Sequence, residues 1–118
     1  MKQYNKFFKE SMFLEGTVQL EDADCNNNIK MKKIILDTYR KLTGKIGFEL
    51  KAWKNIPHRY DILPENVEDI TLEMAKVMGK SATAIVWDTV EVTFNLNKSI
   101  LYLYFKGSKL DEFARVKY

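Results

Sequence analysis

The sequence predicts a single α+β domain spanning residues 1–118, with a mainly antiparallel or mixed sheet of four to five strands and two to three helices packed on one face. Three observations lead there. The length of 118 residues is close to the commonest domain size. Residues 90–96 and 100–105 are two alternating apolar runs on either side of Asn97-Lys98, as in a hairpin. Upstream lie two segments of helical periodicity, each followed by a glycine.

The expected order is roughly β-α-β-α-β-β-α. The first turns, around Tyr4, Phe7 and Phe8, have weak helical spacing. Met12, Leu14, Val18 and Leu20 then alternate with Phe13, Glu15, Thr17 and Gln19, which predicts a strand with Gly16 as a weak point or bulge. Residues 22–28 are rich in Asp and Asn and form a capping loop. A helix follows over about 28–43, its apolar stripe formed by Met31, Ile35, Thr38 or Tyr39, and Leu42, with Gly44 ending it. Ile46, Phe48, Leu50 and Ala52 alternate with Lys45, Gly47, Glu49 and Lys51, predicting the next strand.

Residues 55–63 are read as a long irregular connection containing Pro57, His58, Arg59 and Tyr60. Pro64 suits the first position of a second helix, where its missing N–H costs nothing. Val67, Ile70, Met74 and Val77 or Met78 are its stripe, acidic residues crowd its first turns, and Gly79 closes it. A strand over 82–96 would be about 50 Å long, so a bend or break is expected near Trp87-Asp88-Thr89. In the hairpin, Val90 should face Phe105, Val92 Leu103 and Phe94 Leu101, with Glu91 opposite Tyr104 and Thr93 opposite Tyr102. Ser108 would cap a short last helix holding Leu110, Phe113 and Ala114.

Composition narrows the chemistry. One cysteine, Cys25, and one histidine, His58, do not make a structural zinc site. Asp22-Ala23-Asp24 lacks the glycine and terminal glutamate of a calcium loop, and no phosphate-binding glycine loop or serine elbow is present. Cys25 and His58 lie on different predicted loops with nothing to bring them together as nucleophile and base. No cofactor, metal or catalytic residue is therefore expected. The lone thiol, the absence of a signal-like N-terminus and of any long apolar run lead to a cytoplasmic expectation with no membrane partner.

The formal charge of +3 conceals an uneven distribution. Residues 30–59 carry a net +7, and residues 60–79 a net −4. Such segments are either solvated faces of separate elements or complementary contact surfaces. The segment Trp53-Lys54-Asn55-Ile56-Pro57-His58-Arg59-Tyr60 is the leading candidate site. Arg59 there is suited to clamp a carboxylate or phosphate, and Trp53 or Tyr60 to stack or anchor a contact. The competing reading has both rings plugging the core while Pro57 and Arg59 route the chain.

The expected function is a small non-catalytic protein-binding module, of the inhibitor or toxin-neutralising immunity type, whose partner is a toxin or enzyme. Its contact residues would be Trp53, Lys54, His58, Arg59, Tyr60 and Asp61, with Glu65, Glu68 and Asp69 as an acidic surface able to cover a basic active site. The alternative is nucleic-acid binding, with the basic 30–59 segment (Lys30, Lys32, Lys33, Arg40 and Lys41 on the helix) following phosphates. The Tyr102/Tyr104 face of the hairpin is a secondary candidate surface, or else is covered by a helix of the same domain.

Overall fold

In the computed structural model, which describes residues 25–81, 85–97, 100–107 and 113–118, helix α1 spans Asn28–Thr43. Asn27 is its N-cap: the side-chain oxygen accepts the Lys30 N–H at 3.1 Å, an interaction worth about 1 kcal/mol. Met31, Ile34, Ile35, Thr38 and Tyr39 form the buried stripe. Gly44, at φ 75°, ends the helix by returning its N–H to the Arg40 carbonyl.

Strands β1 (Leu50–Ala52) and β2 (Arg59–Ile62) pair antiparallel, Lys51 opposite Asp61. Helix α2 (Pro64–Met78) follows, with Pro64 opening it and Gly79 closing it at φ 71°. Strands β3 (Thr89–Asn95), β4 (Ile100–Lys106) and β5 (Phe113–Lys117) complete the sheet. The strand order is β1-β2-β3-β4-β5 and every neighbouring pair is antiparallel. The architecture is therefore α+β, with two helices and five strands among the described residues.

The hairpin has the expected register throughout, from Thr89↔Lys106 to Asn95↔Ile100. Burial explains its rigour. Val90, Val92, Leu101, Leu103 and Phe105 all point into the core. Slipping β4 by one residue would turn Leu101, Leu103 and Phe105 outward, a loss of roughly 5–9 kcal/mol. That is comparable with the whole stability of a typical domain, about 5–15 kcal/mol. The break near Trp87 is also present: the ladder starts only at Thr89, and Trp87 leaves the strand path to bury itself completely. The Trp87 N–H donates to Thr71 Oγ1 at 3.0 Å, so α2 supplies an acceptor for this buried backbone group.

Three expectations change. The irregular connection 55–63 contains a strand: Arg59–Ile62 pairs on both sides, with β1 and with β3. The strand proposed from Ile46 forms only over Leu50–Ala52. Gly47, at φ 74°, breaks the alternation, leaving Ile46 83% exposed although Phe48 is buried. Finally, Phe113 and Ala114 belong to strand β5 and not to a last helix. Their spacing also fits a period of two, and Ala114 and Val116 bury against Phe105 and Leu103 across the ladder. The chain order is thus α-β-β-α-β-β-β over the described residues. The first predicted strand, the first helical turns, Lys98 and the Ser108 cap lie outside them.

Both helices occupy one side of the sheet, the side of the even-numbered residues of β1, β2, β3 and β5 and the odd-numbered residues of β4. Tyr60, from that side of β2, reaches Asn28 at the start of α1. The core between the layers contains Met31, Ile35, Tyr60, Ile70, Met74, Trp87, Leu103 and Phe105. No helix among the described residues is long and apolar enough to cross a membrane.

Candidate functional site: the outer face of the sheet

Antiparallel pairing aligns the odd-numbered residues of β1, β2, β3 and β5 with the even-numbered residues of β4 on the side away from α1 and α2. Three cross-strand rows result. The first is Arg59, Glu91, Tyr104 and Arg115; the second is Lys51, Asp61, Thr89, Lys106 and Phe113; the third is Thr93, Tyr102 and Lys117. Trp53 extends this face past β1, and its Nε1–H donates to Asp61 Oδ1 at 2.8 Å.

These side chains hold one another. Glu91 lies between two cations, with Lys106 Nζ at 2.9 Å and Arg59 Nη2 at 3.3 Å. Partial burial disfavours its charge, but Lys106 and Arg59 outweigh that and hold the carboxyl below its ordinary range. The Arg59 guanidinium sits 5.4 Å from the Trp53 ring centre, and that of Arg115 4.8 Å from Tyr102. Tyr104 meets Phe113 edge-on at 5.4 Å and Tyr102 at 6.3 Å. The strand positions of this face carry five cations (Lys51, Arg59, Lys106, Arg115, Lys117) against two anions, Asp61 and Glu91.

Of the residues expected from sequence, Trp53, Arg59 and Asp61 are brought together here, with Lys54 exposed beside them. Tyr60 is not part of the surface. It is completely buried, its hydroxyl donates to Asn28 Oδ1 at 2.9 Å, and burial pushes its pKa up to about 12. The core-plug reading describes this ring. His58 occupies the tight turn before β2 at φ 72°, and its Nδ1 lies 2.8 Å from the Cys25 carbonyl oxygen. A carbonyl can only accept, so Nδ1 carries the proton in this contact. The link ties the turn to the entrance of α1 through Cys25's backbone, and the Cys25 side chain is buried.

Glu65, Glu68 and Asp69 are exposed on α2, in the helical layer and apart from the Trp53–Arg59 cluster. On α1, Arg40 and Lys41 are both paired with Asp37, at 2.6 and 3.5 Å. Among the described residues no group of three or more histidine, cysteine or acidic side chains is placed to hold a metal ion.

Comparison with family models, curated proteins and solved structures found no match.

The site is therefore defined by its own chemistry. Sequence reasoning missed Glu91, Lys106, Phe113, Arg115 and Lys117 as members of it. The signal lies in 113–117, where Phe, Arg and Lys alternate with Ala and Val at a period of two, although Leu110, Phe113 and Ala114 also fit a helical spacing.

Proposed function

We propose that the protein is a non-catalytic protein-binding module of the inhibitor or toxin-neutralising type, which engages an acidic partner surface through the outer face of its sheet, the face turned away from the helices. The observation that carries this reading is the row Arg59, Glu91, Tyr104, Arg115, flanked by Trp53, Tyr102 and Phe113. Trp, Tyr and Arg are the residues that most often dominate binding energy at protein interfaces. Their mutual ring, cation–π and ionic contacts fix rotamers in advance, which lowers the entropy lost on association. The excess of cations selects a partner of opposite sign.

The test is recovery of the native partner. Tagged protein purified from its own cells should carry a stoichiometric second protein, identified by mass spectrometry. The Arg59→Glu variant should lose it, whereas reversal of Glu68 and Asp69 on α2 should not. Recovery of a free monomer under repeated gentle purification would overturn the reading.

Nucleic-acid binding has its own support in the aromatic and cationic make-up of the same face, since bases stack on such rings and phosphates pair with such cations. It predicts single-stranded binding that falls steeply as salt rises. No binding at low salt removes it.

A further inference from the structure

Strand β1 is an edge of the sheet, and its backbone has a definite polarity. The Trp53 N–H donates to the Arg59 carbonyl at 3.0 Å, and the Ile62 N–H turns the other way, to Asp88 on the β3 side. In an antiparallel ladder these bonds alternate, so Lys51 exchanges bonds with Asp61 while the N–H and C=O of Leu50 and Ala52 point outward. Among the described residues nothing bonds to those outward groups. By contrast, the outward positions on β5, the opposite edge, include Arg115 and Lys117, both of which have further partners.

The surroundings of β1 are shaped as well as unpaired. Two grooves of about 500 and 350 Å³ meet at Lys51 and Ala52. On the helix side the floor is apolar, from Leu36, Phe48, Leu50 and Leu63, with Lys32 at its rim. The second groove continues past Trp53, Lys54 and Ile56. An added strand would place alternate side chains over the apolar floor and the intervening ones beside Lys51.

We infer that β1 accepts an extended segment of a protein partner as a sixth strand, and that the segment alternates apolar with acidic residues. This rests on the protein-binding reading above and specifies its mode. Lys51 decides between occupants. A second copy paired through all the outward groups of Leu50 and Ala52 would set Lys51 opposite Lys51, a like-charge cross-strand pair. An acidic residue at that place converts the repulsion into a pair, and the grooves carry three cations, Lys32, Lys51 and Lys54, against two anions, Glu49 and Asp61, which favours the same sign. The short strand and its lysine also block indiscriminate edge pairing, so charge becomes the condition for entry.

The experiment uses the full chain and a labelled peptide alternating Glu and Val, about six residues long, the usual strand length. Amide hydrogen exchange followed by NMR should show slowed exchange at Leu50 and Ala52 on adding the peptide. Lys51→Glu should weaken binding by about fivefold and confer binding of the matching Lys/Val peptide. Ala52→Pro removes one outward donor while leaving the β1–β2 bonds in place, and should weaken both peptides. No protection at these two amides, protection confined to β5 or to the outer face of the sheet, or concentration-dependent dimerisation that blocks the peptide would overturn the inference. Failure here leaves the partner-recovery experiment untouched, and failure to recover a partner leaves the peptide result to stand by itself.

Discussion

The Tyr60 hydroxyl donates to Asn28 Oδ1 at 2.9 Å, joining the centre of β2 to the first residue of α1. This bond lets a fully buried phenol satisfy its polar end at the margin of the core. Tyr60→Phe keeps the ring and leaves behind only an exposed amide oxygen. It should cost about 1 kcal/mol in urea unfolding, with an unchanged denaturant slope.

The same residue makes the fold sensitive to alkali. Burial raises its pKa from the ordinary 10 to about 12, so the neutral form is favoured in the folded state. Stability from this group is fully present below pH 10 and is lost as pH climbs toward 12. The loss amounts to about 2–3 kcal/mol. Burial also raises Tyr39 and Tyr118, so wild type must be compared with Tyr60→Phe to isolate the contribution. The variant should show a visibly flatter decline in melting temperature over that interval.

Glu91 has the opposite sign. Its folded pKa is depressed, so its contribution is present above the ordinary carboxylate range and disappears as pH falls through the lower folded value. Both cations are partly exposed, which limits the pairings with Lys106 and Arg59 to about 1 kcal/mol in all. Glu91→Gln should therefore be less stable than wild type at neutral pH, and the difference should shrink as pH falls below the ordinary carboxylate range and through the lower folded value.

Gly107 follows β4 where the chain passes the 85–88 segment, and a Cβ there would overlap the Val86 carbonyl oxygen. The obstacle is backbone on both sides, tied nearby by the Asp88 N–H to the Lys106 carbonyl at 2.9 Å. Gly107→Ala should lower stability by about 1–3 kcal/mol, measurable by thermal unfolding. A neutral result would mean that the segment moves aside freely.

Thr71 gives a further check on the α2–Trp87 contact. Thr71→Val preserves shape but removes the hydroxyl oxygen that accepts the buried Trp87 N–H, at a cost of about 1–3 kcal/mol. Increased hydrogen exchange at the Trp87 amide should accompany the loss.

Part of the candidate site was legible before folding. Trp53 and Arg59 are six positions apart in a segment dense in aromatic and basic residues, and the turn before β2 sets them side by side. Asp61 joins them because β1 and β2 run antiparallel. Arg115 and Glu91 belong to the same row only through two successive strand pairings, which no local spacing announces. Conversely, Tyr60 has the composition of a contact residue and the position of a core residue. One step along a strand exchanges the two.

Local pattern by itself determined both helices and the register of the β3–β4 hairpin. Asn27, Pro64, Gly44 and Gly79 act on backbone groups a few residues away, and the hairpin's apolar alternation permits one pairing that buries both strands. Tertiary structure decided that Arg59–Ile62 and Phe113–Lys117 are strands, that β1 and β5 are the edges, and that Trp87 turns inward. Short strands have no hydrogen-bond partners within themselves. Their conformation is settled by the neighbour that supplies those partners, and for β2 that neighbour lies on both sides at once.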